Sequence, residues 1–350
     1  MKRAITRIGL VRAGVFFGLL ILVPILGGPV WLLNMLIFTI MYAALSSSWN
    51  LIGGLAGYPS LGHVAFFGIG AYAFALLYSS SVGDGFSPFL SLPVIGIAVG
   101  LLSVPIGWIS MRTRADVFAI VTITFLFIVQ TLAYNLKSIT GGAQGASVAP
   151  PPFDVSTYDW PFYYGMLVLL AVAMGISFYF MRSKIGLSLA TVRADEDKAH
   201  GVGVRVTAVK LIAFSVSCGL VAIGGGIWAY YVGFIYPQFA VDPLITIGMV
   251  LMAFLGGRGT LWGPVLGAFI LVPAQSYFAQ AFGASELYLL AYAAVFLVIM
   301  LFLPRGILPT IAERLRKRRA AAAGVERDAA SGEKPDREPE SAKPAKVVTR

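Results

Sequence analysis

Side chains able to carry out metal or covalent chemistry are few in this chain and far apart. Its 350 residues hold two histidines, His63 and His200, and one cysteine, Cys218. A zinc site draws three or four such ligands together, so an ordinary zinc site is not available here. Cys218 stands in an apolar run with no second cysteine to bridge to, and reads as a small core residue. No pair of carboxylates falls inside an apolar run, which argues against acid–base catalysis by a membrane enzyme. No G-x-x-x-x-G-K-[ST] loop occurs, so a phosphate cradle must come from another polypeptide. The charged chemistry gathers in one stretch, Arg182 to Lys210, RSKIGLSLATVRADEDKAHGVGVRVTAVK.

That stretch has the pattern of two short helices. Ile185, Leu189 and Val192 lie on one helical face, with Ser183 ahead of them as an N-cap. Asp195 is placed to cap the second helix. Glu196 and Asp197 fall in its first turn, where carboxylates suit the positive end of the dipole, and Gly203 follows as a closing glycine. Arg193 and Glu196 are close enough to pair on one face, or each to reach across to a partner protein. The plainer alternative is a basic connection that only obeys the positive-inside rule.

The elements around this loop are set by composition. Hydrophobic residues make up 58% and charged residues 12%, against about 25% charged in a soluble domain, so an aqueous surface cannot be covered. Apolar runs of about 20 residues suffice to cross a hydrocarbon core as helices, and their continuity argues against a barrel. The expected fold is an all-α, polytopic membrane helix bundle with about ten transmembrane helices. The spans are predicted near 13–28, 30–52, 59–80, 88–110, 115–136, 161–181, 209–233, 242–256, 259–281 and 286–304. In an alternative count of about eight, the short 242–256 segment and the next form a re-entrant pair around Gly256-Gly257-Arg258-Gly259. No A-x-A site follows the first run, which reads as an uncleaved span.

Of the 26 Lys and Arg residues only Lys137 falls on the outer side if the N-terminus is cytoplasmic. Residues 1–12 are therefore a cytoplasmic N-terminus, 13–308 a transmembrane domain carrying a cytoplasmic loop at 182–208, and both termini lie inside. Residues 309–350 turn to Ala, Lys, Arg, Glu and Pro and read as a disordered basic tail, of which 325–350, after Gly324, is expected to be dispensable. The basic residues follow the membrane, so the pI near 9.7 does not indicate nucleic acid. The Arg314–Arg319 cluster reads first as a stop-transfer charge cluster, with contact with anionic membrane lipid as the lesser reading.

Within the spans, Gly53/Gly57, Gly96/Gly100 and Gly263/Gly267 are G-x-x-x-G pairs that let helix backbones approach. Asn50, Gln130, Asn135 and Gln275 are placed for interhelical hydrogen bonds, with pathway lining as the lesser reading. The tryptophans, Trp49 among them, lie mostly towards span ends as interfacial anchors. His63 stands at the start of a helix, where a structural hydrogen bond outweighs substrate or proton handling.

Several motifs together resemble one family. In the charged loop, Ser183-x-Ile185-Gly186, then Val192-Arg193-x-Asp195-Glu196, then Gly203-Val204, looks like the cytoplasmic coupling loop of ABC-importer permeases of the branched-chain amino-acid (LivM-type) family. His200 and Gly201 depart from that pattern and imply a weaker second helix. The Ser60-Leu61-Gly62-His63-x-x-Phe66 element, followed by Gly68, resembles the same family. So do GGRGTLWGPVLGA from Gly256, through Gly257, Arg258 and Gly259, to Ala268, FLPRGI from Phe302, and the TGGAQG turn from Thr140.

The resemblance implies an ABC-importer permease fold and a transport subunit that is not an enzyme. Partners would be a second permease subunit in a heterodimer, two cytoplasmic ATPase subunits binding ATP and Mg, and a soluble binding protein delivering leucine, isoleucine or valine. This chain would bind no cofactor and sit in the bacterial inner membrane. Ser183, Gly186, Arg193, Asp195, Glu196 and Gly203 would serve ATPase coupling. Gly53, Gly57, Ser60, Gly62, His63, Gly68 and Gly256 to Gly259 would serve helix packing or the pathway. Related permeases serve urea, amides and other amino acids. A proton- or sodium-coupled carrier would hold ionisable groups at midplane, and a channel would need a polar filter; neither is found in the sequence.

Overall fold

The computed structural model describes residues 2–79, 88–282, 293–294, 297 and 306–314, with the backbone alone at 2–10, 12 and 282. The chain divides into two units, Met1–Leu308 and Pro309–Arg350. In the first, long helices dominate: α1 (Lys2–Ile25), α2 (Val30–Asn50) continued by a π-helical turn Leu51–Ala56, α3 (His63–Leu77), α4 (Pro88–Ser110), α5 (Ala115–Asn135) and the one-turn α6 (Lys137–Thr140). After these come α7 (Asp159–Arg182), the loop helices α8 (Lys184–Ala194) and α9 (Glu196–Gly201), then α10 (Val206–Val232), the one-turn α11 (Pro237–Ala240), α12 (Pro243–Gly256) and α13 (Gly263–Phe282). A two-residue ladder, β1 (Ala146–Ser147) antiparallel to β2 (Phe234–Ile235), ties the TGGAQG turn to the end of α10. It is a small departure from an all-α reading.

Six segments among the described residues are long and apolar enough to cross a membrane: 30–56, 88–110, 115–135, 159–182, 206–232 and 237–256. The chain is a multi-pass membrane protein, and the described residues do not confirm the expected count of ten. Ala13–Ile25 and His63–Leu77 are apolar but short. The span at 286–304 lies outside the described residues apart from 293, 294 and 297, as do 315–350 of the tail.

The predicted 59–80 span is shortened because residues 57–62 are not helical. Gly57 takes φ 78°, Pro59 follows, and Gly62 is pressed so close to α5 that a Cβ there would overlap the Thr122 carbonyl. Side chains take up the irregular backbone: Leu61 N–H donates to Thr122 Oγ1 at 3.0 Å, and Trp49 Nε1 donates to the Ser60 carbonyl at 2.7 Å. Non-helical backbone at membrane depth needs such internal partners. Trp49 is fully buried by this contact, so it is a core residue and not an interfacial anchor.

α10 is the central helix, packed most extensively on α3 and α4, while α2 packs on α7 and α13. Backbone proximity makes the α3–α10 crossing. A Cβ at Gly70 would overlap the Ala222 carbonyl, and one at Gly225 the Phe67 carbonyl. Gly96 and Gly100 meet α10 at Gly219 and Ser215, and Gly267 meets the Met252 carbonyl across α12–α13, so those two G-x-x-x-G pairs do make crossings. Gly53/Gly57 does not. Gly53 lies under the Trp49 ring of its own helix, and Gly57 ends the π turn in the left-handed region beneath Arg193.

Gly225→Ala is accordingly expected to cost about 1–3 kcal/mol, the usual cost of overpacking. Gly175→Ala, where a Cβ meets nothing within 4 Å, should be neutral. Thermal melting of the two variants in detergent checks this, and equal melting temperatures would contradict the crossing.

Candidate functional site

The loop between α7 and α10 folds as the two capped helices its residues favour. Ser183 Oγ accepts from Gly186 N–H at 3.3 Å to cap α8, and Asp195 Oδ1 accepts from Lys198 N–H at 3.0 Å to cap α9. α9 ends on Gly203 at φ 80°, with Gly203 N–H to the His200 carbonyl and Val204 N–H to the Ala199 carbonyl, the paired bonds of a Schellman closure. Despite His200 and Gly201, the second helix is complete over its six residues. Leu189, Val192 and Ala199 are buried beneath the pair. At Gly186 a Cβ would overlap the Phe180 carbonyl, so α8 leaves α7 with backbone against backbone. The exposed pair Lys198–Asp195, 2.9 Å apart, adds little.

Arg193 and Glu196 do not pair with each other. The Arg193 side chain lies over the π turn and its Nη1 donates to the Gly54 carbonyl at 2.8 Å. That carbonyl is an orphan of the helix end: Tyr58 N–H, its α-helical donor, instead bonds the Ile52 carbonyl at 3.2 Å, and Pro59 has no N–H. A guanidinium on the last carbonyls of α2 also suits the negative end of the dipole. Asn50, one turn back, accepts from Gly259 N–H at 2.7 Å and donates to the Thr260 carbonyl at 3.0 Å. The 257–260 turn, with Gly259 at φ 75°, is thereby laid against both Gly54 and Arg193. Gly306, the described end of the FLPRGI motif, packs on Gly257 and Phe254.

Glu196 reaches the other way. Its Oε1 accepts from Lys210 Nζ at 2.6 Å, and its Oε2 accepts from the Tyr58 hydroxyl. Lys210 is completely buried. Its ammonium also donates to the Met111 carbonyl at 3.1 Å, just past the end of α4, and lies 4.1 Å from the Tyr58 ring centre. Burial alone would raise the Glu196 carboxyl, but the hydrogen bonds from Lys210 and Tyr58 outweigh it and hold the group below its usual range. Burial, then the hydrogen bond to Glu196 and its charge, pushes the Tyr58 phenol up, so Tyr58 remains a donor. Two cations thus close two helix ends, Arg193 on α2 and Lys210 on α4, and Glu196 joins the second to α9.

Residues that the sequence separates come together here: Gly57 and Gly259 both lie against Arg193 of the loop, while Glu196 reaches Tyr58, next to Gly57. Arg258 projects outward with its guanidinium 5.1 Å from the Phe254 ring centre. The remaining residues lie elsewhere in the bundle. Gly68 is pressed on α11 at Ala240 and Val241, and Gly256 on the Gly263 carbonyl. His63 opens α3 fully buried, its Nε2 2.8 Å from Ser217 Oγ, which itself donates to the Ser48 carbonyl at 2.6 Å. Ser60 presents its carbonyl to Trp49. Lys210, Tyr58 and Met111 were not singled out in the sequence. The available signal was Lys210 itself, a lysine just inside an apolar run whose charge needs a partner.

The profile of the family described as "Branched-chain amino acid transport system / permease component" matches residues 31–303. The chain belongs to that family. It is 28% identical over 315 residues to the high-affinity branched-chain amino acid transport system permease protein LivM of Escherichia coli (strain K12), covering 82% of this chain and 72% of the relative. LivM of Salmonella typhimurium is 29% identical with the same coverage. The autoinducer 2 import system permease protein LsrC of Photorhabdus laumondii is 30% identical over 132 residues, 37% of this chain and 38% of the relative. No solved structure matches. Within this permease, the TGGAQG, SLGH and GGRG elements and the α8–α9 loop belong to one continuous helix bundle, and the loop is the part joined to it by charge.

Proposed function

We propose that the chain is a permease subunit of an ATP-driven importer carrying leucine, isoleucine or valine across a bacterial inner membrane. In this reading it pairs with a second permease, receives substrate from a soluble binding protein, and takes its power stroke from two ATP-binding subunits docked on α8–α9. The observation that carries it is the attachment of the loop. Arg193 holds the end of α2, and Glu196, through Lys210, holds the end of α4. A force on the helix pair therefore reaches two membrane helices through charged hydrogen bonds and does not dissipate in a slack connection. Gly186, Ser183, Asp195 and Gly203 keep the pair rigid. The relatives named LivM support the substrate class. The similarity to LsrC supports a second reading, import of a solute that is not an amino acid.

Reconstitution with the partner subunits tests this. Accumulation of labelled leucine, dependent on ATP and the binding protein, is expected; accumulation of another solute with none of the three amino acids would overturn the substrate. Orientation is tested by single cysteines in a Cys218→Ala chain. A cysteine near Arg193 or Arg258 should resist an impermeant external reagent that labels one at Lys137, and external labelling at Arg193 would sink the coupling role.

A further inference from the structure

At the opposite end of α2 from the loop, a groove of about 1120 Å³ runs between α2 and α13, lined by residues from Val30 to Tyr42 and from Val272 to Gln280. At a rise of about 1.5 Å per residue, Val30 to Tyr42 is about 18 Å, more than half of a hydrocarbon core about 30 Å thick. The floor is Tyr42, against which Gly248 of α12 packs so closely that a Cβ there would lie 3.2 Å from the ring. The walls combine aromatic surface, Trp31, Phe38 and Tyr277, with the amides Asn34, Gln275 and Gln280.

Those amides are the unusual feature. Asn34 and Gln280 are exposed on facing helices. A polar group facing hydrocarbon without a partner is costly, and water in the groove removes that cost for the Gln280 amide and the Asn34 side-chain carbonyl. Asn34 Nδ2 is further held by Tyr231 Oη at 2.7 Å, which donates to Asp159 Oδ1 at 3.0 Å, so its direction is set from behind. The described lining carries no Asp, Glu, Lys or Arg. Uncharged amides bind an ammonium and a carboxylate alike, and the apolar walls suit an aliphatic side chain.

We propose that the α2–α13 groove is the outer half of the substrate path, a water-filled vestibule for a small zwitterion with an aliphatic side chain. α2 is then the rod between the two ends: its Gly54 carbonyl end is gripped by Arg193, and its Val30–Tyr42 face forms one wall of the vestibule. This rests on the importer reading for its substrate, but the location of the path does not depend on which solute is carried.

The test uses the assembled complex with Gln275→Cys or, separately, Ser276→Cys in a Cys218→Ala chain, and the impermeant cation MTSET outside. Both positions are expected to label in the complex, and the bulky adduct to lower leucine uptake by roughly tenfold or more while ATP hydrolysis stimulated by the binding protein persists. Labelling in the isolated chain but not in the complex would overturn the vestibule and make the groove an interface with the second permease. No labelling in either would overturn it as a lipid-facing surface. Labelling with undiminished uptake would also overturn it. If both cysteines label but the unmodified complex carries no branched-chain amino acid, the substrate reading fails and the accessible groove stands.

Discussion

Alanine at Glu196 is expected to lower the unfolding free energy of this permease by about 3 kcal/mol, whereas methionine at Lys210 should cost about 1 kcal/mol. The pair is asymmetric in burial: the Lys210 side chain is 1% exposed and that of Glu196 28%. Taking away the carboxylate leaves an ammonium with no route to water and only the Met111 carbonyl and the Tyr58 ring face for company. Breaking a buried pair in that sense costs about 3–5 kcal/mol, and the remaining carbonyl bond keeps the loss at the lower end. Taking away the lysine leaves a carboxylate that reaches water and still accepts from Tyr58, while methionine refills the space. Glu196→Gln combined with Lys210→Met should recover most of the loss. Thermal melting of the purified permease checks the order, and equal losses from the two single changes would contradict it.

The same carboxylate sets a pH limit. Its value in the folded protein lies below the ordinary 4.5, so its contribution is fully present above about pH 4.5 and is lost as pH falls through the depressed value. The stability difference between the permease and Glu196→Gln should therefore be constant from neutral pH to about 5 and shrink only in more acid solution.

The second large effect is expected at the joint between α7 and α8. Alanine at Gly186 is enough to disturb it, because even a methyl group would overlap the Phe180 carbonyl; a large side chain is not needed. Displacing α8 withdraws Arg193 from Gly54, whose charged hydrogen bond is worth about 1.5–3 kcal/mol, so transport should fall by roughly tenfold to a hundredfold. Arg193→Glu should do the same more directly, setting a carboxylate against the carbonyl end of α2 where like partial charges repel. In reconstituted complexes both variants should lose uptake and substrate-stimulated ATP hydrolysis together, with the permease still inserted and the binding protein still holding its ligand. Normal transport by both, with the ATP-binding subunits in place, would leave α8–α9 a plain basic connection.

Much of this was legible along the chain because it depends on neighbours in sequence. The two caps at Ser183 and Asp195, the closing glycine at Gly203 and the apolar face of Leu189 and Val192 are local rules, since a cap and its N–H lie three residues apart. Membrane class followed from composition alone, because apolar runs leave a chain no aqueous alternative. The glycine pairs at 96/100 and 263/267 were legible for the same reason, being two points on one helix face.

What the tertiary structure decided is where the unsatisfied groups of one element find partners in another. Spacing put Arg193 beside Glu196, yet each found a stronger partner, because the orphan carbonyls at the ends of α2 and α4 and the buried ammonium of Lys210 offer more than a solvent-exposed ion pair. Gly54 became an acceptor only because Pro59 and the π turn removed its donor. Gly53/Gly57, identical in pattern to the working glycine pairs, makes no crossing because Trp49 covers one and the chain turns at the other. Distant backbone groups competing for the same donors cannot be ranked from a linear pattern; their separation in space decides which bonds form.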